Sequence, residues 1–262
     1  MMRWPGLMAV LIGLLLFGVT AESVMASQVV VDSDYAYGTS GIMKLSGALY
    51  RNTEDSDSNH DYYAVKVTVT DVKYRNNGWV GPLYLYVDIG VLPTTAIEVP
   101  ENHRPQAGIV LSQNSVSFSY EGIGFNVYIP RAFISYYEKT DSLHHFIWEV
   151  SGTKPSWVGW WFVFDDYAEF AVGFRVPQNS QVATATYAYG EWYKFYGAVF
   201  KKVGTDSAVI GMDNNPTSRY LAKDALQRLK KKNKDILKLP EVIKASDETL
   251  KLIGGSQMPG MR

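Results

Sequence analysis

The densest set of metal-capable oxygens in the chain is the run Glu54-Asp55-Ser56-Asp57-Ser58-Asn59-His60-Asp61. Oxygen ligands on alternate residues of a tight loop can converge on one hard cation, which makes Asp55, Asp57, Asn59 and Asp61 candidate calcium ligands. The first three match the opening spacing of an EF-hand loop. The rest departs from it: His60 stands where a glycine would make the sharp turn, Lys66 where a bidentate glutamate would close the site, and strand patterns flank the run instead of helices. The same residues also read as a solvated acidic hairpin loop. Calcium is the one cofactor these residues suggest.

A second acidic set, Asp165, Asp166 and Glu169, follows the aromatic run Trp157-Val158-Gly159-Trp160-Trp161-Phe162-Val163-Phe164. Paired carboxylates beside aromatic rings are what glycoside cleavage uses, one as acid and one as nucleophile or base. Neighbouring Asp165 and Asp166 would point to opposite faces of a continuing strand, so a charged turn is the simpler reading. Tyr84, Tyr86 and Tyr128, with Trp160 or Trp161, are the candidates for a sugar-stacking platform, although aromatics on pleated sheets mostly serve packing.

Other chemistry is missing. The chain has no cysteine, which excludes disulfides, thiolate nucleophiles and thiolate metal sites. Of the four histidines, His144 and His145 are adjacent, where strand alternation sends their rings to opposite sides of a sheet. No His-Glu-x-x-His, Gly-x-Ser-x-Gly, phosphate-cradling or dinucleotide-binding pattern occurs. With no short catalytic signature, a non-catalytic role is the expectation.

The elements that would position these residues alternate with period two. Tyr63, Val65, Val67 and Val69 oppose Ala64, Lys66, Thr68 and Thr70. Leu83, Leu85, Val87 and Ile89 oppose Tyr84, Tyr86 and Asp88. Val116, Phe118 and Tyr120 oppose Ser115, Ser117 and Ser119, and Phe125, Val127 and Ile129 oppose Asn126 and Tyr128. Each pattern predicts a strand with one wet face. Further strands are expected at 29–37, 42–50, 144–150, 157–164, 168–176 and 182–200, the last long enough to bend or split. Turn chemistry at Asn76-Asn77-Gly78, Glu121-Gly122 and Pro177-Gln178-Asn179 separates them. The fold class is therefore mainly β: an antiparallel β-sandwich or jelly-roll-like body with a short basic helical C-terminal region. Val65, Val67, Val69, Leu85, Val87 and Phe118 should lie in its core.

Net charge divides along the chain. Residues 27–218 hold 13 Lys and Arg against 20 Asp and Glu, a net −7, whereas 219–262 hold 11 against 5, a net +6. A helix is expected after Pro216 with the stripe Leu221, Ala222, Ala225, Leu226 and Leu229, and a second short one over 241–253. At the other end, Arg3 and the apolar run Leu7–Val19, followed by Val24-Met25-Ala26, read as a secretory signal peptide, with an uncleaved anchor as the alternative. The organisation is then signal peptide 1–26, β-domain 27–204, linker 205–218 and basic helical region 219–262. These features predict a secreted cell-surface or extracellular structural, assembly or adhesion protein, with a polysaccharide-binding or polysaccharide-cleaving protein as the alternative. The expected partners are itself, through a head-to-tail contact of opposite charges, or a surface polysaccharide. Export excludes nucleic acid, and no membrane-spanning segment remains once the signal is removed.

Overall fold

The computed structural model describes residues 28–54, 57–75, 77–94, 102–152, 162–164, 166–197, 199–215, 219–232, 236 and 238–244. The mainly antiparallel β expectation holds. In chain order the strands are β1 (Gln28–Tyr37), β2 (Met43–Asn52), β3 (His60–Asp71), β4 (Val80–Leu92), β5 (His103–Arg104), β6 (Gly108–Ile109) and β7 (Asn114–Tyr120). They continue as β8 (Ile123–Ile129), β9 (Phe133–Thr140), β10 (His144–Ser151), β11 (Tyr167–Pro177), β12 (Ala183–Phe195) and β13 (Val199–Asp213), followed by the helix α1 (Tyr220–Lys232) and β14 (Val242–Lys244). One sheet runs β1-β2-β3-β11-β5 and another β14-β13-β12-β4-β10-β9-β6, while among the described residues β7 and β8 pair only with each other.

The two large sheets share one core. Val65, Val67 and Val69 of β3 stand opposite Val172, Phe170 and Ala168 of β11, and Leu85, Val87, Ile89 and Val91 of β4 come from the other sheet to the same cluster. Phe118 is buried as well, so the core residues read from alternation are all buried. The layers touch at Gly47, where a Cβ would stand 2.8 Å from Ile210 Cδ1 and 3.1 Å from Met212 Cε.

β4 departs from the one-wet-face reading, because it is buried on both sides. The reason is the C-terminal region, which folds back over the outer face of the larger sheet. Ala225 and Leu229 of α1 pack with Leu92, Leu143, Ala183 and Ala185. Ile236 and Leu239 cover Tyr84, Tyr86, Ile147 and Tyr189. Glu191, fully buried, fastens the cover: it accepts the Leu239 N–H at 3.0 Å and the Tyr189 hydroxyl at 2.7 Å, and pairs with Lys202 at 3.1 Å.

Two expected elements change, and one splits as its length allowed. The linker expected over 205–218 is ladder up to Asp213, which pairs with Ala183. Its turn-forming residues serve the sheet instead: the Asp206 carboxylate accepts the N–H groups of Ser40, Ile42 and Met43 and occupies the space a side chain at Gly38 would need. The long strand expected over 182–200 splits into β12 and β13 at a turn where Gly197 has φ +79°. In place of a second helix, residues 242–244 form β14 on the edge of β13; residues 245–253 lie outside the described residues. The strand expected over 157–164 falls mostly outside them too, with 162–164 in no strand.

Candidate functional site

β4 and β10 are neighbours in the sheet, with Val91 opposite His144, yet 93–143 intervenes between them in the chain. This excursion carries the β7–β8 hairpin. Its tip, Glu121-Gly122, has φ +42° and +78°, the two positive values of a tight two-residue hairpin turn. At its base Val110 and Ala132 exchange both backbone hydrogen bonds, at 2.9 and 3.0 Å, beside the short β6–β9 ladder.

The hairpin is amphipathic. Phe118, Ile123, Val127 and Ile129 are buried, with Val116, Tyr120 and Phe125 partly so, while Ser115, Ser117, Ser119, Gly124 and Asn126 of the other face are exposed. Phe118 and Phe125 stack across the pair at 4.7 Å. Burying such side chains is worth roughly 1.5–3 kcal/mol each, and the seat that buries them is the outer face of the smaller sheet.

That seat is partly polar. Lys66, between Ala48 and Ala171 in register, pairs with Glu169 at 2.9 Å and donates to the carbonyl of Asn126 at 2.8 Å. Glu169 also accepts the Tyr128 N–H at 2.8 Å. Tyr50 lies 5.0 Å from the Phe125 ring, and burial, with the Glu169 charge second, pushes its hydroxyl pKa up. Gly173 is required: a Cβ there would stand 2.3 to 2.8 Å from the Tyr120 side chain. At the tip, Asn52 donates to the Glu121 carbonyl at 2.8 Å, and the Gln28 amide bonds both backbone groups of Gly124. Side-chain bonds and one apolar face hold the hairpin; among the described residues no ladder does.

The residues singled out in the sequence are not brought together. Tyr84 and Tyr86 are buried beneath the C-terminal segment on one sheet, whereas Tyr128 belongs to the hairpin on the other and lies 4.7 Å from Tyr167. Trp160 and Trp161 lie outside the described residues, and Tyr84 and Tyr86 stand on a different sheet from Tyr128. Of the carboxylates, Asp165 is also outside, Asp166 pairs with Arg75 at 3.3 Å, and Glu169 serves the hairpin seat.

Two of the four calcium candidates have protein partners of their own. Asp57 accepts from the Asn59 N–H, then from His60 and the Tyr62 hydroxyl, which together lower its pKa to about 2. Asp61 is buried on Arg51 at 2.7 Å and the Asn179 N–H at 2.8 Å. Asn59 is exposed and Asp55 is outside the described residues, among which no group of three or more His, Asp or Glu could hold a metal ion. His145 lies buried between Asp88 at 2.9 Å and Asp141 at 3.1 Å, and His144 between Glu138 and Thr140.

No helix among the described residues is long and apolar enough to cross a membrane. No protein-family model and no curated protein matches the sequence. Solved structures are similar in shape. One titled a pore forming protein has TM-score 0.47 and 9% identity, covering 71% of this chain and 90% of that one. Clostridium perfringens delta-toxin has TM-score 0.42 and 9% identity, covering 70% and 88%. The Clostridium perfringens NetB toxin in its membrane inserted form has TM-score 0.35 and 10% identity, covering 71% and 94%. The expectation of a structural, assembly or adhesion protein with a polysaccharide alternative is corrected here: the titles of these neighbours name a pore forming protein and two toxins, one of them membrane inserted, and Tyr84 and Tyr86, meant for a sugar, are buried.

Proposed function

We propose that this chain is an exported, self-associating, pore-forming protein, and that residues 110–132 leave the sheet to enter a membrane as a β-hairpin. The observation that carries this reading is the β7–β8 pair itself: alternating, mostly apolar on one side and serine-rich on the other, and among the described residues in no ladder with the body. One of the distant likenesses is titled a pore forming protein and another a toxin in membrane inserted form.

A membrane β-strand needs about 9–11 residues and alternates apolar outward with polar inward. Val110–Tyr120 supplies eleven and Ile123–Ala132 ten. Swung out, Val116, Phe118, Phe125, Val127 and Ile129 would meet lipid, and Ser115, Ser117, Ser119 and Asn126 would line water. Ser112, Asn114 and Arg131, on the lipid side nearer the base, would sit toward the headgroups. Lipid tails bury the apolar stripe as the sheet does, so release exchanges one apolar seat for another. Two strands cannot close a barrel. Since closed barrels begin at about eight strands, at least four copies must each contribute a hairpin, which is why self-association belongs to this reading.

The topology permits the movement. Detaching 110–132 leaves every ladder of the two large sheets intact, including the β6–β9 pair at its base. The test is electrical: the protein added to one side of a planar lipid bilayer should give discrete, uniform conductance steps. A bilayer that stays silent in the presence of bound protein overturns the reading.

A further inference from the structure

Resting on the pore-forming reading, we propose that the end of the molecule bearing Trp79 and Tyr196 docks on an anionic lipid surface. Two adjoining turns build this end. The β3–β4 connection presents Trp79, 40% exposed, and the β12–β13 turn presents Tyr196, 53% exposed. The Phe195 N–H donates to the Trp79 carbonyl at 2.8 Å, and the Trp79 ring stacks on Phe195 at 6.4 Å, so the turns form one surface. Lys194 and Lys201 both stand over the Tyr196 ring, at 5.2 and 5.5 Å. Exposed Trp and Tyr favour the boundary between water and hydrocarbon, and lysines beside them favour anionic headgroups.

The second observation is where this end lies. The Arg131 N–H donates to the Val163 carbonyl at 3.0 Å and the Val163 N–H to the Pro82 carbonyl at 2.8 Å, which sets the hairpin base at the level of Pro82. Val80, two residues away, is opposite Lys194. The hairpin tip points the other way, to Asn52. Docking by Trp79 and Tyr196 therefore brings the base of the hairpin, and not its tip, to the membrane, which is where a segment that swings outward must be hinged.

The experiment is vesicle co-sedimentation of the full chain on phosphatidylcholine with and without phosphatidylserine, with leakage of an encapsulated dye recorded on the same samples. The wild type should prefer the phosphatidylserine vesicles. Lys194→Gln with Lys201→Gln should lower that binding by about tenfold or more, and Trp79→Ala with Tyr196→Ala should weaken binding to both compositions. Circular dichroism and melting confirm that each variant is folded; the lysine pair, on the surface, keeps the test available if loss of Trp79 unfolds the chain. Unchanged binding by the folded lysine variant, or a wild type with no preference for phosphatidylserine, overturns the proposal. Binding as described without dye release overturns the pore-forming reading and leaves the docking surface standing.

Discussion

At the residue scale, the excursion between β4 and β10 includes one group whose burial makes it respond to pH. His103 stacks on Tyr136 at 3.6 Å, and its burial lowers its pKa from the ordinary value near 6.5. The unfolded chain therefore takes up a proton at higher pH than the folded one. Stability from this group is present above about pH 6.5 and is lost as pH falls from there through the folded value. The melting temperature should drop on acidification from about pH 7 to about pH 5 by less in His103→Gln than in the wild type; equal drops would show that His103 has no part in it. Individual residues were the least legible level of the sequence. Asp61 was visible as an oxygen ligand, but its partners Arg51 and Asn179 come from a neighbouring strand and a distant turn, which only the pairing of the strands brings to it.

At the element scale, period two identified β3, β4, β7, β8 and β11 and placed Val65, Val67, Leu85 and Phe118 inside. It could not say which strands pair. The Ser115, Ser117 and Ser119 face reads the same whether β7 is an edge strand of a large sheet or half of a separate hairpin, and only the pairing reveals the latter. Nor could alternation show that β4 is covered twice, since Tyr84 and Tyr86 suit a wet face and a buried one equally. The cover came from the helix, whose stripe was legible. Its role predicts that Leu229→Ala, removing a fully buried side chain, costs about 2–5 kcal/mol in denaturant unfolding. A loss below about 0.5 kcal/mol, the range of surface positions, would mean that α1 does not hold the cover in place.

At the scale of the whole molecule, the opposed charges of body and C-terminal region meet within one chain in part: Arg219 pairs with buried Asp32 at 2.6 Å, and Arg228 donates to the Ser142 carbonyl. The apolar stripe of α1 completes the docking. The hairpin is the element left to meet other copies, and pore formation depends on its release. The chain has no cysteine, so a lock can be built without competing thiols. A Cβ at residue 173 would stand 2.8 Å from that of Tyr120, within an ångström of disulfide reach. The decisive measurement is dye release from vesicles by Tyr120→Cys with Gly173→Cys, oxidised and then reduced. The oxidised protein should bind vesicles without releasing dye, and reduction should restore release; equal release in both states would show that pores form with the hairpin still on its sheet.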